Sequence, residues 1–175
     1  MDTLTLNRLR RLRKRYGVGV FGKITQKLLA LTFRRMGFTH VVERSVEGVD
    51  IDIARGGQDK YALEVKTTEG RSFSLSDGNV RALGDRARDG YQPVIAALRL
   101  AVFERWILAQ VPVDELCAGS VLVEALRAYR MKDLEALVEP VFDDVVQRHF
   151  HGTLDRGLQY LSEQLAKDGV EVRDS

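Results

Sequence analysis

The stretch from Gly48 to Thr68 constrains this chain more than any other. It holds two short runs of alternating character separated by a glycine pair. Successive side chains of an extended strand leave on opposite faces. Val49, Ile51 and Ile53 therefore fall on one face, Asp50 and Asp52 on the other. In the second run Leu63 and Val65 share a face, and Ala62, Glu64 and Lys66 share the opposite one. Gly56-Gly57 suits a tight turn, so the runs are expected to pair as a hairpin. With Gly56-Gly57-Gln58 as the loop, Asp50 stands across from Glu64 and Asp52 across from Ala62. Three carboxylates and a lysine then occupy a small area of one sheet face.

Like charges directly opposed on paired strands destabilise a hairpin. Two readings follow. The face is the solvated side of an edge hairpin, or a divalent cation removes the repulsion. Carboxylate oxygens suit magnesium or manganese. A lysine two residues after a carboxylate points the same way and can orient, or help deprotonate, a metal-bound water.

The pattern resembles the PD-(D/E)xK nuclease superfamily, the restriction-endonuclease-like fold. That family pairs an acidic residue at the start of one strand with an E-x-K on the next. Here Gly48-Val49-Asp50 stands for the first part and Glu64-Val65-Lys66 for the second. The nearest flavour is that of archaeal Holliday-junction resolvase-like proteins, in which a helix ending in Gly-Phe carries an acid near its start. Gly37-Phe38 fits, and counting back places Gln26 at the acidic position. The resemblance covers roughly residues 20 to 112. Val49 replaces the family's proline. Gln26 replaces its acid, which makes that contact to metal weaker or water-mediated. Asp52 rivals Asp50 as a ligand. The resemblance implies an α/β fold: an αβββαβ core with a mixed central sheet, a basic N-terminal helix and a helical C-terminal extension. It implies Mg²⁺ (or Mn²⁺) held by Asp50 and Glu64, with the Val65 carbonyl completing the shell and Lys66 at the reacting phosphate.

The chain has 175 residues and 45% hydrophobic residues, enough for one domain, or a core with an extension, around a real interior. Segments 1–19, 20–112 and 113–175 are expected to form a basic arm, the nuclease-like core and the C-terminal extension. No apolar run approaches the ~20 residues of a membrane span, and the basic start lacks the apolar stretch of a signal peptide. The single cysteine, Cys117, excludes an intrachain disulfide and a cysteine-rich zinc site. A cytoplasmic setting is expected.

The net charge of +2 hides a gradient. Residues 1–35 carry ten Lys/Arg against one Asp, and residues 102–175 carry fourteen Asp/Glu against eight Lys/Arg. One end therefore suits a polyanion. Leu6, Leu9 and Leu12 form a thin stripe on a helix otherwise rich in Arg8, Arg10, Arg11, Arg13, Lys14 and Arg15. Phosphate contact and a solvated face are the two readings of it. Tyr16-Gly17-Val18-Gly19 breaks this helix. A second helix over 22–36, with Ile24, Leu28, Leu31 and Met36 inward and Lys23 as a candidate DNA contact, ends at Gly37.

Thr39 to Val46 reads as a strand. Ser76 or Asp77 caps a helix over 78–89, whose Asn79 and Arg81 are placed to touch a phosphate. Pro93–Ala101 and Arg105–Val111 read as strands, with a turn at Phe103-Glu104. Beyond Pro112 helices are expected over 113–128, 131–149 and 153–168, covering the sheet or forming a homodimer surface. His149-Phe150-His151 lacks the spacing of a zinc motif and reads as structural.

The first functional expectation is metal-dependent DNA phosphodiester hydrolysis, as an endonuclease of repair or recombination. DNA is the partner, held by the arm and the second helix. The alternative is a degenerate nuclease-fold module that binds DNA or a partner protein, favoured by Gln26. A third reading, an adaptor built on the C-terminal helices, rests on their leucines alone.

Overall fold

The computed structural model describes residues 1–44, 48–57, 59–101 and 104–173. Val46, Gln58 and Phe103, which figure in the strand and turn expectations, lie outside the described residues. The chain opens with α1 (Thr3–Arg35), capped by the Asp2 carboxylate on the Thr5 N–H and broken at Gly17, whose φ of 76° leaves the helical region. Then come β1 (His40–Arg44), β2 (Ile51–Arg55), β3 (Asp59–Thr68), β4 (Ser72–Leu75), α2 (Asp77–Arg88), β5 (Gln92–Arg99) and β6 (Trp106–Gln110). After them follow β7 (Gly119–Leu122), a 3₁₀ segment (Val123–Tyr129), α3 (Lys132–Lys167) and β8 (Glu171–Arg173).

Six strands form one mixed sheet in the order β6-β5-β3-β2-β1-β8. β3 pairs parallel with β5 and β1 with β8; the other neighbours are antiparallel. The hairpin register is the expected one: Asp52 faces Ala62 and Ile51 faces Leu63. β5, flanked on both sides, is buried over Pro93–Leu98, as its continuous apolar run requires.

Each sheet face carries its own apolar layer. On one side α1 and α3 bury Leu9, Leu12, Phe21, Leu28, Phe142 and Phe150 against Ile51, Ile53 and Leu63. On the other, α2 and the small β4–β7 sheet bury Leu83, Phe73 and Leu75 against Ala62, Ile95 and Ala97. Val49 belongs to this second layer and not with Ile51 and Ile53. The strand begins only at Ile51, so its two-residue alternation does not reach back past Asp50. Trp106 packs edge-on against Phe142 at 5.3 Å, in the first layer.

The segment after Pro112 departs from the expected helix. Residues 113–128 form a short 3₁₀ turn, β7 and part of a longer 3₁₀ segment. Gly119, at φ 129°, and the β-branched Val121 disfavour a helix there, and β7 instead completes a ladder with β4. The next two expected helices are one, α3, whose break falls at Gly157 (φ 58°). In the turn before that break, the Thr153 and Leu154 carbonyls accept from the Tyr16 hydroxyl at 2.9 and 2.8 Å. The breaks of α1 and α3 thus lie side by side. Among the described residues no helix is long and apolar enough to cross a membrane.

The leucines of the basic arm are core, not a thin stripe: Leu9 and Leu12 have no exposed surface. Leu9→Ala is expected to cost about 2–5 kcal/mol, the range for a buried leucine truncation, read as a lowered denaturation midpoint. Deleting residues 1–16 should then unfold the protein, so circular dichroism of the truncated chain checks the same point.

Candidate active site

β2 and β3 set the site. Because Asp52 pairs with Ala62, the residue just before β2, Asp50, comes beside Glu64 and Val65. The Asp50 Oδ2 accepts a hydrogen bond from the Val65 N–H at 2.7 Å. Glu64 is buried, and its Oε1 receives both Lys66 Nζ at 2.8 Å and Asn79 Nδ2 at 2.6 Å. Its Oε2 is buried with no hydrogen-bond partner. Lys66 also donates to the Asn79 Oδ1 at 3.2 Å.

The electrostatics follow from burial. Loss of solvent, and then the charge of Glu64, push the Asp50 carboxyl up to about 7, against the lowering effect of the Val65 N–H and Lys66. Burial raises Glu64 too, with Lys66 opposing. Two adjacent carboxyls held above their usual range are groups that a cation would stabilise. One orphaned buried oxygen, hard oxygen donors and a backbone carbonyl at Val65 fit Mg²⁺ or Mn²⁺. Among the described residues, no cluster of three or more His, Cys, Asp or Glu side chains could hold a metal. A cation at this site would meet two carboxylates, with main chain or water for the rest of its shell.

Asp52 sits on the same face but is taken up elsewhere. It is fully buried, bridged by Arg86 through two hydrogen bonds at 3.1 and 2.8 Å. Arg44 approaches it as an ion pair at 2.6 Å without an aligned hydrogen bond. Arg86 in turn stacks on Tyr91, 4.0 Å from the ring centroid. Two guanidinium groups neutralise Asp52, which makes it a structural anchor for α2.

Gln26 lies behind Asp50. Its Nε2 is within hydrogen-bond distance of the Glu43 carboxylate (2.7 Å), the Arg44 carbonyl (2.6 Å) and the Asp50 carbonyl (3.2 Å). Lys27 pairs with the other Glu43 oxygen at 2.7 Å, and both groups are buried. At the position where the family resemblance expects an acid, an amide thus ties down the main chain at both ends of the β1–β2 connection. Its acidic neighbour Glu43 comes from β1.

The expected DNA contacts divide. Arg8 and Arg11 lie over the Phe150 ring at 5.2 and 5.1 Å, Arg15 lies over Tyr16, and Arg13 pairs with Glu69 at 2.5 Å. Arg10 reaches the Leu100 carbonyl at 3.5 Å while remaining exposed. Lys14, Lys23 and Arg81 are exposed. α1 belongs to the sheet face opposite Glu64 and Lys66, so its cations do not converge on the carboxylates. Arg81 does lie on the site's side, lining with Gly48, Gly78 and Arg86 a cleft of about 560 Å³. Asn79, expected at a phosphate, turns inward to Glu64 and Lys66.

Glu43, Lys27, Arg44 and Arg86 are absent from the sequence-based expectations. Glu43 had a signal: it shares strand parity with the buried Val41, and a charge at an inward position requires a partner. Arg86 had none, since nothing in a helix sequence says which arginine bends back to a sheet.

No family model matches the chain, and no curated protein matches its sequence. Among solved structures it is similar to Hjc, a Holliday junction resolvase from the archaeal hyperthermophile Archaeoglobus fulgidus. The TM-score is 0.51 at 19% sequence identity, over 66% of this chain and 95% of that one. The likeness shows the fold: a mixed α/β sheet of the resolvase-like nuclease kind, with helices at both ends of the chain.

The raised Asp50 has a thermodynamic consequence. Its contribution to stability is complete below the unfolded-state value of 3.8 and is lost as pH rises through about 7. Asp50→Asn keeps an oxygen for the Val65 N–H and removes the charge. It should therefore raise Tm relative to wild type more at about pH 8 than at about pH 5 when divalent ions are absent. Scanning calorimetry in EDTA at the two pH values checks this; an equal difference at both would show that Asp50 ionises normally.

Proposed function

We propose that the protein is a divalent-metal-dependent deoxyribonuclease that hydrolyses phosphodiester bonds. One observation carries this: on a resolvase-like fold, Asp50, Glu64 and Lys66 meet on one sheet face, and a Glu64 oxygen is buried without a partner. Asp50, Glu64 and the Val65 carbonyl are the groups that would hold Mg²⁺ or Mn²⁺. When bound, such an ion draws charge from a phosphodiester oxygen and lowers the pKa of water. Asp52 has no part in this set, because Arg44 and Arg86 already balance it.

Asp50 must be ionised to bind a cation, and its value near 7 places that ionisation close to neutral pH. Lys66 supplies a fixed positive charge, or a proton donor and acceptor, at the phosphate. Its ammonium is oriented by Glu64 and Asn79, so little reorganisation is needed when negative charge develops. Gln26 acts on the site through main chain, anchoring the Asp50 carbonyl. Arg81, on the site's side, is the proposed hold on the DNA backbone next to the carboxylates, and the exposed Arg10, Lys14 and Lys23 of α1 are proposed holds on backbone away from the reacting phosphate.

Gln26 also supports the second reading, a catalytically degenerate module that binds DNA without cutting it. The amide brings no charge to the site. Incubation with branched, single-stranded and duplex DNA in Mg²⁺, Mn²⁺ or EDTA separates the two. Metal-dependent cleavage supports the nuclease; tight binding with no cleavage of any substrate supports the module.

Lys66→Met keeps the aliphatic stem and removes the charge. Single-turnover cleavage should fall about 100-fold or more, as for loss of one transition-state donor, with DNA affinity in Ca²⁺ nearly unchanged. Cleavage at the wild-type rate would rule out this role. Competition with protons should weaken Mn²⁺ binding about tenfold per pH unit below 7, a trend read directly by calorimetric titration. Exchanging Arg10, Lys14 and Lys23 for glutamine should reduce the slope of log affinity against log salt on duplex DNA by about 0.9 for each phosphate no longer neutralised. An unaltered slope would remove the three from the interface.

A further inference from the structure

We propose that Asn79 is a positioning residue of the metal site: it holds the Glu64 carboxylate so that one defined oxygen remains for the cation. The proposal rests on the nuclease reading and names a residue that acts on the site through Glu64 and Lys66.

Asparagine has two N–H donors and one carbonyl acceptor. Asn79 uses both ends. Its Nδ2 donates to the Glu64 Oε1 at 2.6 Å, and its Oδ1 accepts from Lys66 Nζ at 3.2 Å. The same Oδ1 accepts from the Ser76 N–H and Oγ, each at 2.9 Å, and closes the cap of α2. One side chain therefore joins the two charged members of the E-x-K strand to the first turn of the neighbouring helix.

The bonds at Glu64 are asymmetric. Both Asn79 and Lys66 contact Oε1, and Oε2 is buried without a partner. A carboxylate held by one oxygen in this way keeps the other for a ligand. Without the amide, Oε1 loses a donor, and rotation of the carboxylate can bring Oε2 to Lys66.

The residue type supports this role over capping alone. In a capping box the third helical residue is commonly Glu or Gln, whose side chain reaches back to the N-cap N–H. Asn79 does that with its oxygen and keeps a nitrogen for Glu64. A glutamate would cap equally well while placing a second negative charge against Glu64. Capping alone therefore does not require an amide, whereas Glu64 does.

The test compares full-length wild type with Asn79→Ala, Asn79→Gln and Ser76→Ala. Mn²⁺ affinity is measured by calorimetry, together with Tm and, on a cleaved DNA, single-turnover rate. Asn79→Ala is expected to weaken Mn²⁺ about tenfold or more, in the range for loss of an outer-shell partner. Asn79→Gln keeps both the capping box and an amide donor and should recover most of that affinity. Ser76→Ala should lower Tm as much as Asn79→Ala does while leaving Mn²⁺ affinity within about twofold, since outer-shell effects follow the partner of the ligand. The inference falls if Asn79→Ala binds Mn²⁺ like wild type, or if Ser76→Ala weakens it equally, which would make Asn79 a cap only. Wild type that binds no Mn²⁺ overturns the metal reading itself, and the inference with it.

Discussion

Two carboxylates brought together by strand register repel each other, and the site is arranged around that repulsion. The β2–β3 pairing leaves Asp50, half-buried, beside the buried Glu64. The Val65 N–H and Lys66 offset part of the cost through a hydrogen bond and an opposite charge. What they do not offset appears as carboxyls held above their usual range. A stable fold alone would replace such a pair with apolar residues, since buried charges seldom improve stability over a well-packed core. Their place at the open end of the hairpin is the observation on which the proposed cation site rests.

The other buried charges of the sheet follow the opposite logic, because each is matched within the protein. Lys27 answers Glu43 on the α1 side, and Arg44 and Arg86 answer Asp52 on the α2 side. These pairs flank Asp50 and Glu64, which share the single cation Lys66. They also tie helices to strands: α1 to β1 through Lys27, and α2 to β2 through Arg86. The site therefore sits between two electrostatic clamps that fix the elements carrying it.

Local pattern carried much of this into the sequence. The alternation over 51–54 and 61–66, the glycine turn and the Ser76 cap were legible because each depends on neighbours a few residues away. The register that joins Asp50 to Glu64 followed from loop length alone. Long-range partnerships were not legible. Asp52 and Asp50 have the same parity, and only Arg44 and Arg86, arriving from β1 and α2, set their roles apart. Asn79 looked like a surface residue at a helix start, and its inward turn depends on how α2 sits over β3. Residues 113–128 read as helical from apolar positions such as Leu122 and Leu126, but pairing of β7 with β4 overrode that pattern.

The packing of α1 on α3 bears on how the chain acquires its structure. Leu9 and Leu12 share an apolar layer with Val138, Phe142 and Phe150, more than a hundred positions later in the sequence. Such contacts carry a high loop-closure entropy and slow the passage to the native state. β8 joins the sheet beside β1 only after α3 has been traversed. A chain emerging from the ribosome therefore exposes its first helix, apolar stripe and cationic face together, through most of its synthesis. The hairpin with Asp50 and Glu64 and the clamps Lys27–Glu43 and Arg86–Asp52 lie within the first half of the chain and can form early, whereas the α1–α3 layer behind them closes only once the C-terminal helix is complete.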